Sequence, residues 1–155
     1  MQKKYRPNVA AVVLSSAYPF KCEVFLARRI DLKDVWQFPQ GGIDAGESEL
    51  EALKRELREE IGTDDVEVLG EYPQWLSYDF PAGASSKKTY NYDGQTQKYF
   101  LVRLRPSAKI VLGTHEAEFS EYKFVNANSV LDSINHFKKP IYAKVLSYFK
   151  EKGYI

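Results

Sequence analysis

A single cysteine, Cys22, stands in 155 residues, so no internal disulfide can staple this chain. Set in an apparent hairpin region, it reads as a buried or inert thiol, a small core residue. The only two histidines, His115 and His136, lack partners at metal-ligand spacing and read as solvent-facing, so nothing suggests a thiolate or imidazole zinc centre. No run approaches the roughly 20 apolar residues that a membrane-spanning helix needs, and the basic stretch Met1–Asn8 leads only into a short strand-like segment. A cytoplasmic protein without a membrane partner is expected. Charge of one sign is lacking too: 22 basic against 21 acidic side chains leave +1, which argues against a general polyanion binder and confines any nucleic-acid contact to a local patch. Neither internal repeat nor linker appears. With 44% hydrophobic and 28% charged residues, the chain fits one globular domain over residues 1–155 with a sizeable core, and a monomer is expected.

What is present is a run of glutamates at informative spacing. Glu56, Glu59 and Glu60 stand at i, i+3 and i+4, on one side of a helix that begins near Leu50. At roughly 100° per residue, Leu50, Leu53, Leu57 and Ile61 form a narrow apolar stripe that predicts a core-facing side. The three glutamates lie in an arc beside it, joined by Glu49 and small Ala52, while Lys54, Arg55 and Arg58 are predicted on the other side. A solvated helix usually interleaves its signs, because opposite charges at i, i+4 add a few tenths of a kcal/mol and like charges cost about as much. Segregated carboxylates want a cation.

Before the helix, Trp36-Gln37-Phe38-Pro39 reads as a short strand, and Gly41-Gly42 as a loop whose backbone can approach a ligand closely. Ser48 with Glu51 makes a capping box, and Gly62 supplies the stop. Loop carbonyls and clustered carboxylates are hard oxygen ligands, suited to Mg²⁺ or Mn²⁺.

The run from Gly41 through Glu47, Arg55-Glu56-Leu57 and Glu59-Glu60 to Gly62 resembles the Nudix box, a pattern far more specific than a lone glycine motif. Only Thr63 departs, where an aliphatic residue is usual, and every ligand position is intact. The resemblance implies a hydrolase of a nucleoside diphosphate linked to a further group, dependent on Mg²⁺ with Mn²⁺ as a substitute. Carried over by position, Glu56, Glu59 and Glu60 would be metal ligands, the Gly41 carbonyl a backbone ligand, and Arg55 would pair with Glu47 to hold the loop on the helix. Bound cations would neutralise pyrophosphate oxygens and activate water, with one glutamate as general base. A distal glutamate before a later strand is a further ligand or base in such proteins, and Glu118, followed by Phe119, fits it better than Glu116.

Around the box, Val9 to Ser15, Glu23 to Arg29, Val66 to Tyr72, Trp75 to Tyr78, Lys98 to Leu104 and Tyr122 to Val125 read as strands. Asn126 to Ile134 reads as a short helix and Pro140 to Lys150 as an amphipathic one carrying Ile141, Val145, Leu146 and Phe149 inward. This order predicts a mixed β-sheet between helices, an α/β/α sandwich, as the Nudix resemblance also implies. The long polar stretch Phe80 to Gly94 reads as a loop, either plainly solvated or offering Lys87, Lys88, Tyr90 and Tyr92 to phosphates and bases.

Segments outside the box resemble a bacterial branch of the family that acts on 5′-triphosphorylated RNA and overlaps with dinucleoside polyphosphate hydrolases. They include Tyr5-Arg6-Pro7-Asn8, Ala27-Arg28-Arg29, Gln40, Gln97-Lys98 and Phe137-Lys138. The implied activity is removal of phosphates from triphosphorylated or diphosphorylated RNA ends, leaving the 5′-monophosphate that triggers mRNA decay. Arg6, Arg28 and Lys138 would then grip phosphates, Phe137 would stack on a base, and Gln40, Gln97 and Lys98 would line the site. Each has a plainer alternative: Arg28, Gln97 and Lys98 as surface residues, Phe137 as core. Two other functions compete, a diadenosine tetraphosphate hydrolase using nearly the same groups and a silent nucleotide-binding module. The intact glutamates speak against the last.

Overall fold

The computed structural model describes residues 2–81, 91–113 and 117–155. Among these, eight strands and two α-helices follow one another as β1 (Tyr5–Leu14), β2 (Glu23–Arg29), β3 (Trp36–Gln37), β4 (Gln40–Gly42), α1 (Glu49–Ile61), β5 (Val66–Glu71), β6 (Leu76–Asp79), β7 (Gly94–Leu104), β8 (Phe119–Asn126), a 3₁₀ segment (Ala127–Ser133) and α2 (Lys139–Glu151). The sheet is mixed. β1 and β7 run parallel in register from Tyr5 opposite Gly94 to Leu14 opposite Arg103, and every other pairing is antiparallel.

On its other edge β1 changes partner along its length. Asn8, Val9 and Ala10 pair with β4, whereas Leu14 pairs with β2. The sheet therefore divides beside β4, and the carboxylate helix follows directly from that strand.

Strand alternation sends residues to two cores. Ala10, Val12, Leu14, Tyr99 and Leu101 pack with Tyr142, Val145 and Phe149 of α2, while Val9, Ala11, Val13, Phe100 and Val102 pack with Ala52, Leu53, Leu57 and Ile61 of α1. This is the expected α/β sandwich. Each of these large aliphatic side chains contributes about 1.5–3 kcal/mol by leaving water. No helix among the described residues is long and apolar enough to cross a membrane.

Several expectations need correction. Leu50 is 41% exposed and does not face the core, whose α1 side is Ala52, Leu53, Leu57, Glu60 and Ile61. The buried face is thus rotated toward the carboxylates and takes Glu60 inward. Gly41 and Gly42 are not in a loop but in β4, because their backbone pairs with Val9 and Asn8; the chain turns afterwards, at Asp44–Glu47. β1 and β7 begin earlier than their apolar runs, at Tyr5 and Gly94, so their polar first residues are strand residues. Residues 127–133 form a 3₁₀ segment, and Tyr142 joins the inward face of α2. His136 is half-buried with Nε2 2.9 Å from the Trp36 carbonyl oxygen, so it is not solvent-facing. Cys22 agrees with its expectation, being partly buried against the core, which pushes its thiol up.

Candidate active site

Local chemistry fixes α1 at both ends. Ser48 Oγ accepts from Glu51 N (3.1 Å) and Glu51 Oε1 accepts from Ser48 N (3.0 Å), the predicted capping box, while Gly62 closes the helix at φ 78° with its N–H on the Arg58 carbonyl. Between these caps the glutamates face β4. Glu60 is 6% exposed; its Oε1 accepts from Gln40 N at 3.2 Å, but Oε2 is buried with no hydrogen-bond partner among the described residues. Burial first, then the charges of Glu118 and Glu56, push the Glu60 carboxyl well above its usual range. Burial also raises Glu56, against the pull of Arg55.

Arg55 does not lie on the far side of the helix, away from the acids. Its Nε and Nη2 donate to Glu47 (2.7 and 2.9 Å), Nη2 also to the Gly42 carbonyl (2.8 Å), and Nη1 to Glu56 (2.8 Å) and Glu59 (3.2 Å). Its long side chain swings across the helix surface, which a projection of Cα positions does not show. The guanidinium joins the β4–α1 connection to two glutamates, and it holds the Glu47 carboxyl down at about 2.

The donor set fits a hard divalent cation. A buried carboxylate oxygen without a partner and two carboxyls pushed toward protonation are what a bound cation would reverse, and oxygen is the ligand that such ions prefer. A Cβ on Gly41 would collide with the Glu56 carboxylate, so that glycine is required for β4 and the acid to lie so close. As the side chains stand, no three Asp, Glu, His or Cys groups among the described residues form a ready cluster, since Arg55 engages Glu56 and Glu59. Exchange of the guanidinium for a cation at those two carboxylates would complete it.

A cleft of about 880 Å³ opens beside the carboxylates, between the sheet and the start of α2. Gln40, Gly41, Glu56 and exposed Glu118 line it together with Arg6, Phe137 and Lys138. Lys138 is buried, its Nζ donating to Gln40 Oε1 at 2.8 Å; burial and then the charge of Arg29 lower it to about 7. Phe137 is 47% exposed, edge-on to Tyr78 at 5.2 Å, and so is not core. The Arg6 guanidinium lies over Gly42, where a Cβ would strike it, and makes no hydrogen bond or ion pair among the described residues.

Two expected residues lie elsewhere. Arg28 bonds Ser120 Oγ (3.3 Å) and Glu121 (3.4 Å) on β8, and Lys98 bonds the Tyr72 carbonyl (2.9 Å) and Glu71 (3.2 Å). Neither lines the cleft. Gln97 is fully buried beneath it, bonded to Asn8 and Gln40, and is not a surface residue. Lys87, Lys88, Tyr90, His115 and Glu116 lie outside the described residues, and half-buried Tyr92 is not in the cleft lining. Sequence reasoning missed Asn8, Arg29, Tyr78 and Gln95, all of which line it. The signal was there for two of them: Arg6 and Asn8, and Gln95 and Gln97, are polar residues at period two on neighbouring parallel strands.

Comparison with known proteins agrees with this geometry. Residues 4–145 match the NUDIX domain family. The chain is 62% identical over 154 residues to an RNA pyrophosphohydrolase of Campylobacter jejuni subsp. doylei, covering 99% of this chain and 98% of that protein. It is 53% identical over 155 residues to the RNA pyrophosphohydrolase of Helicobacter pylori, covering 100% and 99%. In fold it is similar to the E. coli dihydroneopterin triphosphate pyrophosphohydrolase (TM-score 0.74, 18% identity, 97% of this chain and 100% of that one). A C. elegans Ap4A hydrolase is also similar (TM-score 0.69, 18% identity, 95% and 98%).

Proposed function

The chain belongs to the Nudix family, and from that premise we propose that it is an RNA 5′-pyrophosphohydrolase, converting triphosphorylated or diphosphorylated RNA ends to monophosphates. One observation carries the reading: a single cleft is lined by Glu56 of α1 and Glu118 and also by the cations Arg6 and Lys138 and the ring of Phe137. That combination suits a 5′ end, with an anhydride at the carboxylates and a base on the ring. The near-full-length identity to RNA pyrophosphohydrolases supports it. We infer a cytoplasmic monomer whose 5′-monophosphate product would trigger mRNA decay.

Glu56, Glu59, Glu60, the Gly41 carbonyl and Glu118 would hold Mg²⁺, or Mn²⁺ in its place. When bound, such an ion neutralises anhydride oxygens and lowers the pKa of water. The chain's own side chains do the rest. Arg6, with no hydrogen bond to break among the described residues, and Lys138, 2.8 Å from Gln40, bind the terminal phosphates; a phosphate beside Lys138 restores the charge that burial has weakened. Phe137, exposed at the rim, stacks on an unpaired base, which selects a single-stranded end. Arg55 ties Glu47 and the Gly42 carbonyl to the helix, contacts that a cation at Glu56 and Glu59 leaves in place, so the β4–α1 connection is set before substrate arrives. Glu118, exposed in the cleft lining and without an ion pair among the described residues, can accept the proton of the attacking water.

The test is a product assay. A short RNA labelled at its 5′ β-phosphate, incubated with protein and Mg²⁺, should yield a 5′-monophosphate end and released label. An RNA that keeps all its phosphates, under conditions where the protein is folded, refutes the reading.

A further inference from the structure

Beneath the cleft runs a chain of amides whose hydrogen bonds all point outward from one buried phenol. Tyr99 donates its hydroxyl to Gln97 Oε1 (2.7 Å). That turns the Gln97 amide nitrogen toward Asn8 Oδ1 (2.8 Å) and Gln40 Oε1 (2.5 Å). Asn8 Nδ2 then donates to Gln95 Oε1 (2.9 Å), and Gln95 Nε2 donates to the Tyr78 hydroxyl oxygen (2.5 Å). Each group's orientation is assigned by the one before it.

The direction matters where the chain meets the cleft. Gln40 Oε1 takes hydrogens from both Gln97 and Lys138, so only its amide nitrogen remains for a ligand. Tyr78 already accepts from Gln95, so its own hydrogen is free to point into the cleft it lines. Burial pushes this phenol up to about 12, so it keeps that hydrogen. An anionic substrate needs donors, and an acceptor in either place would repel it.

We propose that Asn8 is a positioning residue: its buried amide fixes the direction of this chain and thereby makes Tyr78 a hydrogen-bond donor to the substrate's phosphates. The proposal rests on the reading of the cleft as a 5′-phosphate site. Asn8 sits in β1 between Gly42 of β4 and Gln97 of β7, almost fully enclosed, and reaches the phosphates through Gln95 and Tyr78. Asn8→Asp keeps the shape but places an acceptor against Gln95 Oε1. Gln95 must turn over to donate to it, which presents the Gln95 oxygen to Tyr78 and draws the phenolic hydrogen out of the cleft.

The experiment is a double-mutant cycle of Asn8→Asp and Tyr78→Phe, with KM and kcat measured on a short 5′-triphosphorylated RNA at pH 8.5, where a carboxylate is ionised. Each single variant should raise KM about tenfold or more, the loss of one bond to a charged group, with kcat within about threefold. The double variant should be no worse than Tyr78→Phe alone. Multiplied effects would mean that the new charge acts directly on substrate, and an unchanged KM in Asn8→Asp would mean that the amide sets nothing; either overturns the proposal. Should Asn8→Asp fail to fold, Gln95→Glu, which can only accept from Tyr78, replaces it in the same cycle. A parent that leaves this RNA intact removes the premise and the proposal together; an active parent with multiplied effects removes the proposal alone.

Discussion

Replacing Arg55 by lysine keeps its charge and removes its fork. The guanidinium makes five hydrogen bonds, two of them parallel on Glu47, one to the Gly42 carbonyl and one each to Glu56 and Glu59. A lysine ammonium has three donors and no planar pair, so it must give up the bidentate contact and at least one tie between the β4–α1 connection and the helix. Bonds to charged groups contribute about 1.5–3 kcal/mol each, and those of one network are not additive, so a net loss of about 2–4 kcal/mol is expected. At 2–4 °C per kcal/mol for a chain of this size, Tm should fall by about 4–16 °C. Since the contact to the Gly42 carbonyl also sets the neighbouring Gly41 backbone, a shift of roughly 1 Å should lower kcat/KM about a hundredfold. Thermal unfolding and steady-state kinetics on triphosphorylated RNA with Mg²⁺ measure both. A Tm within about 2 °C of the parent with kcat/KM within threefold would refute the positioning role. Glu47→Gln should reproduce part of the loss and combine with Arg55→Lys less than additively.

Three shorter predictions follow from the same geometry. Glu60 is protonated to higher pH in the folded chain than its ordinary 4.5, so its contribution to stability is full below about pH 4.5 and is lost as pH rises through the folded value. In chelator, Tm should therefore fall with rising pH more steeply in the parent than in Glu60→Gln, and Mg²⁺ should narrow the gap; equal slopes would contradict the burial argument. Lys138, lowered to about 7, is charged below that value, so kcat/KM should decline as pH climbs past about 7, and Lys138→Gln should lose this limb of the profile. Arg6→Ala should cut kcat/KM about tenfold or more, whereas Arg28→Ala, whose bonds go to Ser120 and Glu121, should stay within about twofold. The reverse ranking would put the phosphate grip on the wrong strand.

The helix and its caps were legible because they depend on local chemistry: Ser48, Glu51 and Gly62 act within one turn of themselves. The strands' apolar parts were legible for the same reason, since period-two burial is written residue by residue. The extensions of β1 and β7 were not, because Tyr5 to Asn8 and Gly94 to Gln97 are polar and acquire their register only by pairing with each other. Leu50 misled a projection that treats the helix as if its buried face were centred on its leucines. Tertiary contact with β4 rotates that face toward Glu60 and leaves Leu50 in solvent. Of the site, the Arg55–Glu47 pair and the cleft positions of Arg6, Gln40, Phe137 and Lys138 were foreseen through resemblance. The substitution of Arg29 for Arg28 in the cleft was not, because a register shift between those two residues on β2 cannot be read from either sequence neighbour. Tyr78 lies on a strand that runs one residue later than its sequence pattern suggests, and only the fold brings it opposite Gln95.

The most direct test of the central claim is kcat/KM on a short 5′-triphosphorylated RNA against diadenosine tetraphosphate, both with Mg²⁺ and with Glu60→Gln as control. The account predicts RNA ahead by tenfold or more, about 1.4 kcal/mol of transition-state preference, with turnover of both substrates lost in Glu60→Gln. Diadenosine tetraphosphate ahead by the same margin would contradict it and make this a nucleotide-clearing enzyme.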